Sequence, residues 1–392
     1  MPANPQQLHA SIHEIGSRLS ALGEATRASQ ADALRLLREA AAAPDRLISA
    51  INVAAQADPN LRCAVPHQED FSAGYPCPPG AGAPALLAVD GSQIFADRHE
   101  QVMFALINIG SVIIEPGSGR APEIRVDSRL LHGDDLFAAD GRLLSDGDMA
   151  LLRDAAERRQ LLANAPAVPG LVALGDGPLE LWGAKDASDP GAFERALRAY
   201  LEDLRLLQRR GSTVAGYVDK PAADLVVRML EVSQRQTTTA GGPKSIRPLR
   251  RVSDRWLFGR LLAPGQRSAI FALQSSSRLR YSDDLAIHFF YLNVGNDIYP
   301  ALARVEIPRW VAQEHRRIDA LHRVLLDQCA LMSARPYPYI LHRAHETARV
   351  SMQEHEQIKL RLLLEMREHG LEPETVSGKS SAKSVPGSKA RL

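Results

Sequence analysis

Cysteine is nearly absent from this sequence: Cys63, Cys77 and Cys329 are the three thiols in 392 residues. With no CxxC pair and no even framework, they argue against a disulfide scaffold or a thiolate metal site and suit a reducing cytoplasm. Charge of one sign is also missing. Lys plus Arg is 47 and Asp plus Glu is 46, a net charge of +1, so the chain as a whole attracts no particular partner. A nucleic-acid surface would have to be a local cluster of Lys and Arg. Long apolar runs are lacking too: the longest, "VMFALINIGSVII", is broken by Asn108, Gly110 and Ser111 and is too short and polar to span a bilayer. The opening "MPANPQQLHASIHEIG" is polar and contains proline, unlike a secretory leader. The expectation is a soluble cytoplasmic protein with no membrane partner.

What is present reads as a mixed α/β chain. Residues 1–74 form an N-terminal helical segment, with Ala, Leu, Arg and Glu at helical spacing from about 6 to 56. Pro/Gly-rich "YPCPPGAGAP" (75–84) reads as a linker. Three strand-like runs follow, "ALLAVD", "QVMFALINIGSVII" and "EIRVDSRLL", with Gly, Pro and Ser between them, so a meander is expected. Next come a helix over 146–165, capped by Ser145 or Asp146, an apolar strand "GLVALGD", a helix over 190–211 and the strand "TVAGYVD". The order β-β-β-α-β-α-β combines an antiparallel opening with a buried parallel portion. The ribonuclease H-like fold uses that order: a mixed β-sheet core with flanking helices. Further strands are expected near 268–274, 285–293 and 301–306, and helices over about 308–332 and 341–368. Residues 85–370 would form this main domain. The segment 233–251 reads as a polar loop and the Ser/Lys-rich tail, 371–392, as disordered.

This order places three carboxylates for chemistry. Asp90 and Asp176 end strands, and Glu157 lies in the helix between them. Parallel strands present their C-terminal ends on one edge, where ligands collect. Two aspartates there with a helix glutamate could hold one or two hard divalent cations through oxygen. Paired cations activate water and stabilise a leaving oxygen in phosphodiester cleavage. Each acid also has a plainer reading. Asp90-Gly91 and Asp176-Gly177 match ordinary turns. Glu157, among Arg153, Arg158 and Arg159, matches a solvated helix charge with partners four residues away.

Across roughly residues 84–350 the sequence resembles the NurA family of DNA-repair nucleases. The ordered blocks are "AVDGSQ", "RDAAERRQLLANA" with "LVALGDGPL", "VAGYVDKP", "FFYLNVG…ALARVEIPRWVA" and "YPYILHRAHETARVS". The resemblance implies manganese-dependent cleavage of DNA, with magnesium as the other candidate. It also implies single-stranded endonuclease and 5′-to-3′ exonuclease activity in double-strand break end resection. The implied partners are a second copy of the chain and a HerA-type hexameric translocase. It places metal ligands on Asp90, Glu157 and Asp176, a late histidine on His345 and a tyrosine on Tyr337. His345 could hold the metal or manage a proton, and Tyr337 could meet a phosphate or stack on a base. His342 and Tyr339 compete for these roles. Gly91 and Ser92 read as a turn that lets a phosphate approach Asp90. Lys220 is the one evident cation of the "GYVDKP" block, which departs from the family in continuing "AADLVVRML".

The stretch "KSIRPLRRVSDRWLFGR" gathers Lys244, Arg247, Arg250, Arg251, Arg255 and Arg260 around Asp254 and Trp256. Its arginines could track a DNA backbone, although a solvated loop leading into a core tryptophan has the same composition. Ser92, Lys220, Arg250, Arg251 and Arg255 are the candidate DNA contacts. Two other functions fit parts of the pattern. Asp-Gly turns after strands also cradle ATP phosphates in actin-like ATPases and sugar kinases. A non-catalytic DNA-binding adaptor of a translocase would need the basic patch but not the acids.

Overall fold

The computed structural model describes residues 4–80, 84–182, 189–234, 247–296, 298–332 and 335–371. Lys244 and the tail from 372 onward, both named above, lie outside them. In chain order the elements are helices α1 (Pro5–Ala41) and α2 (Pro44–Ala57), then strands β1 (Cys63–Pro66), β2 (Leu86–Ile94), β3 (Ala105–Ile114) and β4 (Glu123–Leu131). Helix α3 (Asp146–Ala163), strand β5 (Val172–Asp176), helix α4 (Pro190–Arg209) and strand β6 (Thr213–Asp219) follow. Helices α5 (Leu225–Ser233) and α6 (Asp254–Leu261) precede strands β7 (Phe271–Gln274), β8 (Ile287–Asn293) and β9 (Leu302–Pro308). The order closes with helices α7 (Arg309–Ala312), α8 (His315–Ala330), α9 (Tyr339–Ala348) and α10 (Met352–Glu368).

The chain divides into two compact units, each built from separate stretches. The first comprises residues 1–81, 177–179 and 215–337. Its strands run in the order β1-β7-β8-β9-β6 with antiparallel pairing throughout. Every residue of β8 and β9 is buried, as strands covered on both faces must be. Asp254, fully buried, fastens α5 to this sheet. It accepts hydrogen bonds from the Val226 and Val227 amides at 2.8 Å and from the Tyr291 hydroxyl at 2.6 Å. The acid within the basic stretch is therefore a cap for the first amides of α5.

The second unit comprises residues 82–176, 180–214 and 338–392. Its strand order is β5-β2-β3-β4, with the antiparallel meander β2-β3-β4 and β5 parallel to β2. This is the antiparallel-then-parallel arrangement expected from the element order. Ser145 caps α3, accepting from the Asp148 amide while Asp148 accepts from the Ser145 amide.

Two expectations change. The helix expected over 341–368 is two helices, α9 and α10. Ser92 and Asn108 donate to the Ala348 carbonyl at 2.5 and 2.7 Å, and Ser351 then caps α10 in a capping box with Glu354. Similarly, Pro44 starts α2 where one long helical stretch was expected. No helix among the described residues is long and apolar enough to cross a membrane.

Candidate active site

Asp90, Gly91 and Ser92 are not a turn; they lie inside β2, which runs on to Ile94. Asp90 pairs with Gly110 of β3, Gly91 with Ile109 and Ser92 with Asn108. The Asp176-Gly177 step is a turn, with Gly177 at φ +91 closing β5. The parallel register of β2 and β5 ends with Val89 opposite Gly175, so Asp90 and Asp176 are the next residues along each strand. Equivalent positions on neighbouring strands project to the same face.

Two glycines set the spacing around Asp90. A Cβ on Gly110 would lie 2.5 Å from the Ala348 nitrogen and 2.7 Å from the Ala344 oxygen, so only glycine lets the α9 backbone settle against β3. That approach brings His345 of α9 onto Asp90, with Nδ1 2.7 Å from the carboxylate Oδ2. Asp90 is 7% exposed, whereas the His345 side chain is 62% exposed. With Nδ1–H donated to the carboxylate, Nε2 is the ring nitrogen left to face outward. His342, the competing histidine, instead faces Glu346 at 3.5 Å.

Gly91 makes room for side chains of α3 instead of its backbone. A Cβ there would lie 2.5 Å from Glu157 Oε1 and 2.9 Å from Arg153 Cγ. Neighbouring strand residues point to opposite faces, so His345 reaches β2 from one side and Glu157 from the other. Glu157 is not the solvated helix charge of the plainer reading: its side chain is 13% exposed, and Arg153 Nε stands 3.2 Å from Oε1. Burial, with the adjacent Asp154 adding to it, pushes the Glu157 carboxyl up to about 8 against the pull of Arg153 and Arg158. Asp154, which pairs with Arg153 at 2.8 Å, carries no signal in the sequence because it looks like half of any exposed helical ion pair.

Carboxylate oxygens and an imidazole suit a hard or borderline divalent cation in kind. A carboxyl raised as far as Glu157 also becomes an anion readily only beside positive charge. Among the described residues, however, no three Asp, Glu, His or Cys side chains stand close enough together to hold a metal. Asp176 is exposed at the end of β5.

The remaining candidates are dispersed. Ser92 uses its hydroxyl to tether α9. Tyr337 belongs to the first unit, where it packs edge-to-face on Tyr217 with ring centroids 5.5 Å apart. Lys220, also in that unit, has a positive φ of 45° and stands 3.4 Å from Asp219. The basic stretch splits into two kinds of residue. Arg247 is committed to Glu231 and Asp224, whereas Arg250, Arg251 and Arg255 are exposed and form no ion pair among the described residues. Trp256 is half-buried, with the Arg260 guanidinium over its ring at 5.9 Å.

An antiparallel meander with a parallel fourth strand, an acid on an inner strand and flanking helices that bring a histidine and a glutamate to that strand are the arrangement of the ribonuclease H-like fold. The match to the NurA domain model over residues 84–350 makes the assignment specific, and the chain belongs to the NurA family. The NurA nuclease of Sulfolobus solfataricus is similar in fold. It is 13% identical, with 93% of this chain and 98% of that one covered at a TM-score of 0.51. A NurA structure bound to dAMP and manganese is 11% identical, covering 79% of this chain and 92% of that one at a TM-score of 0.33. The catalytic domain of human endonuclease V is 15% identical, covering 80% and 96% at a TM-score of 0.32. No curated protein sequence matches the chain.

Proposed function

We propose that this protein is a metal-dependent deoxyribonuclease whose acid site is centred on Asp90. The observation that carries the reading is the convergence of His345 and Glu157 on two consecutive residues of β2, through glycines that leave them room. Asp90 and Asp176 would hold a manganese or magnesium ion on one face of β2; the family resemblance adds His345, which meets Asp90 there, and Glu157, which approaches β2 from the other face. A divalent cation there supplies Lewis acidity to the scissile phosphate and lowers the pKa of the attacking water. Asp90 orients the His345 ring through Nδ1, leaving Nε2 either to hold the ion or to take up and deliver a proton at the solvent side. Arg153 stands beside Glu157, where its charge opposes the effect of burial on that carboxyl. Tyr337, Lys220, Arg250, Arg251 and Arg255 would meet the DNA strand.

The wider assignment follows the family: single-stranded endonuclease and 5′-to-3′ exonuclease activity in end resection, with a HerA-type hexameric translocase, in the cytoplasm. A homodimer is supported by α1. Its exposed Leu8, Ile12, Ile15, Leu19 and Leu22 recur at alternating steps of four and three, the seam of a coiled coil. The ATP-cradle alternative loses its main support, because the residues after Asp90 are strand and not a phosphate-binding turn.

The test is cleavage of end-labelled single- and double-stranded DNA with manganese or magnesium, using wild type, Asp90→Asn and Asp176→Asn. Both variants should fold and cleave at least about a hundredfold more slowly, the scale on which active-site groups act. Unchanged cleavage by Asp90→Asn would mean that the active site lies elsewhere. No cleavage by the wild type under any of these conditions would favour the adaptor.

A further inference from the structure

A cavity of about 320 Å³ opens in the first unit, between α2, β1, β7 and the residues leading into β8. None of its residues is an acid of the candidate active site. Its walls combine three chemistries. Ile48, Val65 and Ile287 are apolar. His67 and His288 meet edge to face, with ring centroids 4.9 Å apart and planes at 77°. Arg278 and Arg309 are exposed, and neither forms an ion pair among the described residues.

The histidines are held neutral. Burial, followed by the Arg309 charge, keeps His67 below its ordinary value, and burial takes His288 down to about 4, with His67 and Arg309 adding to the effect. His288 Nδ1 is 3.0 Å from the Ala286 carbonyl, while His67 Nε2 is shielded from solvent and has no hydrogen-bond partner. An arginine beside both rings disfavours a metal cation in this histidine pair. Two arginines without carboxylates favour an anion, and guanidinium groups match phosphate oxygens in pairs. Neutral imidazole rings and aliphatic walls favour a flat aromatic body next to that anion. The volume suits a single small ligand.

We propose that this cavity binds a nucleoside monophosphate, with the phosphate on Arg278 and Arg309 and the base against His67 and His288. The ligand class comes from the chemistry of the cavity and stands apart from the acid site. Its source can be a free mononucleotide or the phosphorylated end of a strand; a cleavage product as the source rests on the nuclease reading.

The test is calorimetric titration of the full chain in EDTA with dAMP, deoxyadenosine and inorganic phosphate. The expected result is binding of dAMP, at least about tenfold weaker binding of either fragment, and a similar loss in Arg309→Gln and Arg278→Gln, since charge-assisted hydrogen bonds contribute on that scale. Both variants should melt with the wild type, because both side chains are exposed. Asp90→Asn should bind dAMP as the wild type does, even if it no longer cleaves DNA. Competition by a 5′-phosphorylated oligonucleotide but not its 5′-hydroxyl form would assign the strand end; competition by neither would assign the free nucleotide. Undiminished binding in both arginine variants, loss of binding in Asp90→Asn, or no binding at millimolar dAMP would overturn the proposal.

Discussion

His345 and His342 lie one turn apart on α9, and their partners separate them. Asp90 orients the ring of one, while Glu346 holds the other at the surface. His345→Ala is expected to slow DNA cleavage about a hundredfold, in the range for removing a positioned acid or base, and His342→Ala to change it less than about twofold. Initial rates on a labelled single strand would check both, and equal losses would place the proton chemistry elsewhere. At this scale the sequence was readable in part. Asp90, Glu157 and His345 stood out through the family blocks. Their mutual placement did not, because "VDGSQ" looks the same whether the glycine turns the chain or lies flat in a strand. Only pairing with β3 decides that, and pairing is a long-range property.

Elements show where local pattern ran out. The strands and the capped α3 followed from apolar periodicity and Ser145. The break between α9 and α10 did not, because its cause is the Ala348 carbonyl being claimed by Ser92 and Asn108, about 250 residues earlier in the chain. The same contact surface makes Gly110 critical. Gly110→Ala is expected to destabilise the fold by about 1–3 kcal/mol, the cost of overpacking against backbone that cannot move aside, and to lower cleavage by displacing His345. Urea unfolding beside an activity assay would measure both. At α1, Ile12→Glu combined with Ile15→Glu should convert a dimer to a monomer in light scattering. A persisting dimer would assign self-association to another surface.

For the whole molecule, buried titratable groups make stability depend on pH. Burial lowers His288 and His322 from 6.5 to about 4 and raises Asp254 from 3.8 to about 6. Between about pH 4 and 6.5 the unfolded chain therefore binds more protons at the two histidines, so their contribution is full above 6.5 and is lost as pH falls toward 4. Asp254 acts in the opposite sense, since its folded form keeps a proton that the unfolded form releases as pH rises from about 4 to 6. Glu157, raised from 4.5 to about 8, acts in the same sense as Asp254, so two histidines oppose two carboxyls. The melting temperature is expected to change little between pH 7 and 4.5. His322→Gln, which keeps an amide to donate to the Gly265 carbonyl and removes one of the opposing histidines, should make the protein relatively more stable toward pH 4.5 than the wild type. An unchanged slope would show that other groups govern acid unfolding. None of this was legible in the sequence, because burial of these four residues depends on which strands and helices enclose them.

Gly91 and Gly110 also suggest a way to find this site in chains that share little else. Acids at the site are exchangeable, as aspartate and glutamate reach similar points with different lengths. The backbone clearance at Gly110 has no such substitute, since an added Cβ would stand 2.5 Å from the Ala348 nitrogen, whereas at Gly91 it would meet side-chain atoms of Glu157 and Arg153. A search template would therefore give most weight to a glycine opposite the strand acid on the next strand, and less to the one directly after the acid. Chains that retain the acid but fill the opposite position would be expected to have lost the helix contact, and with it the activity.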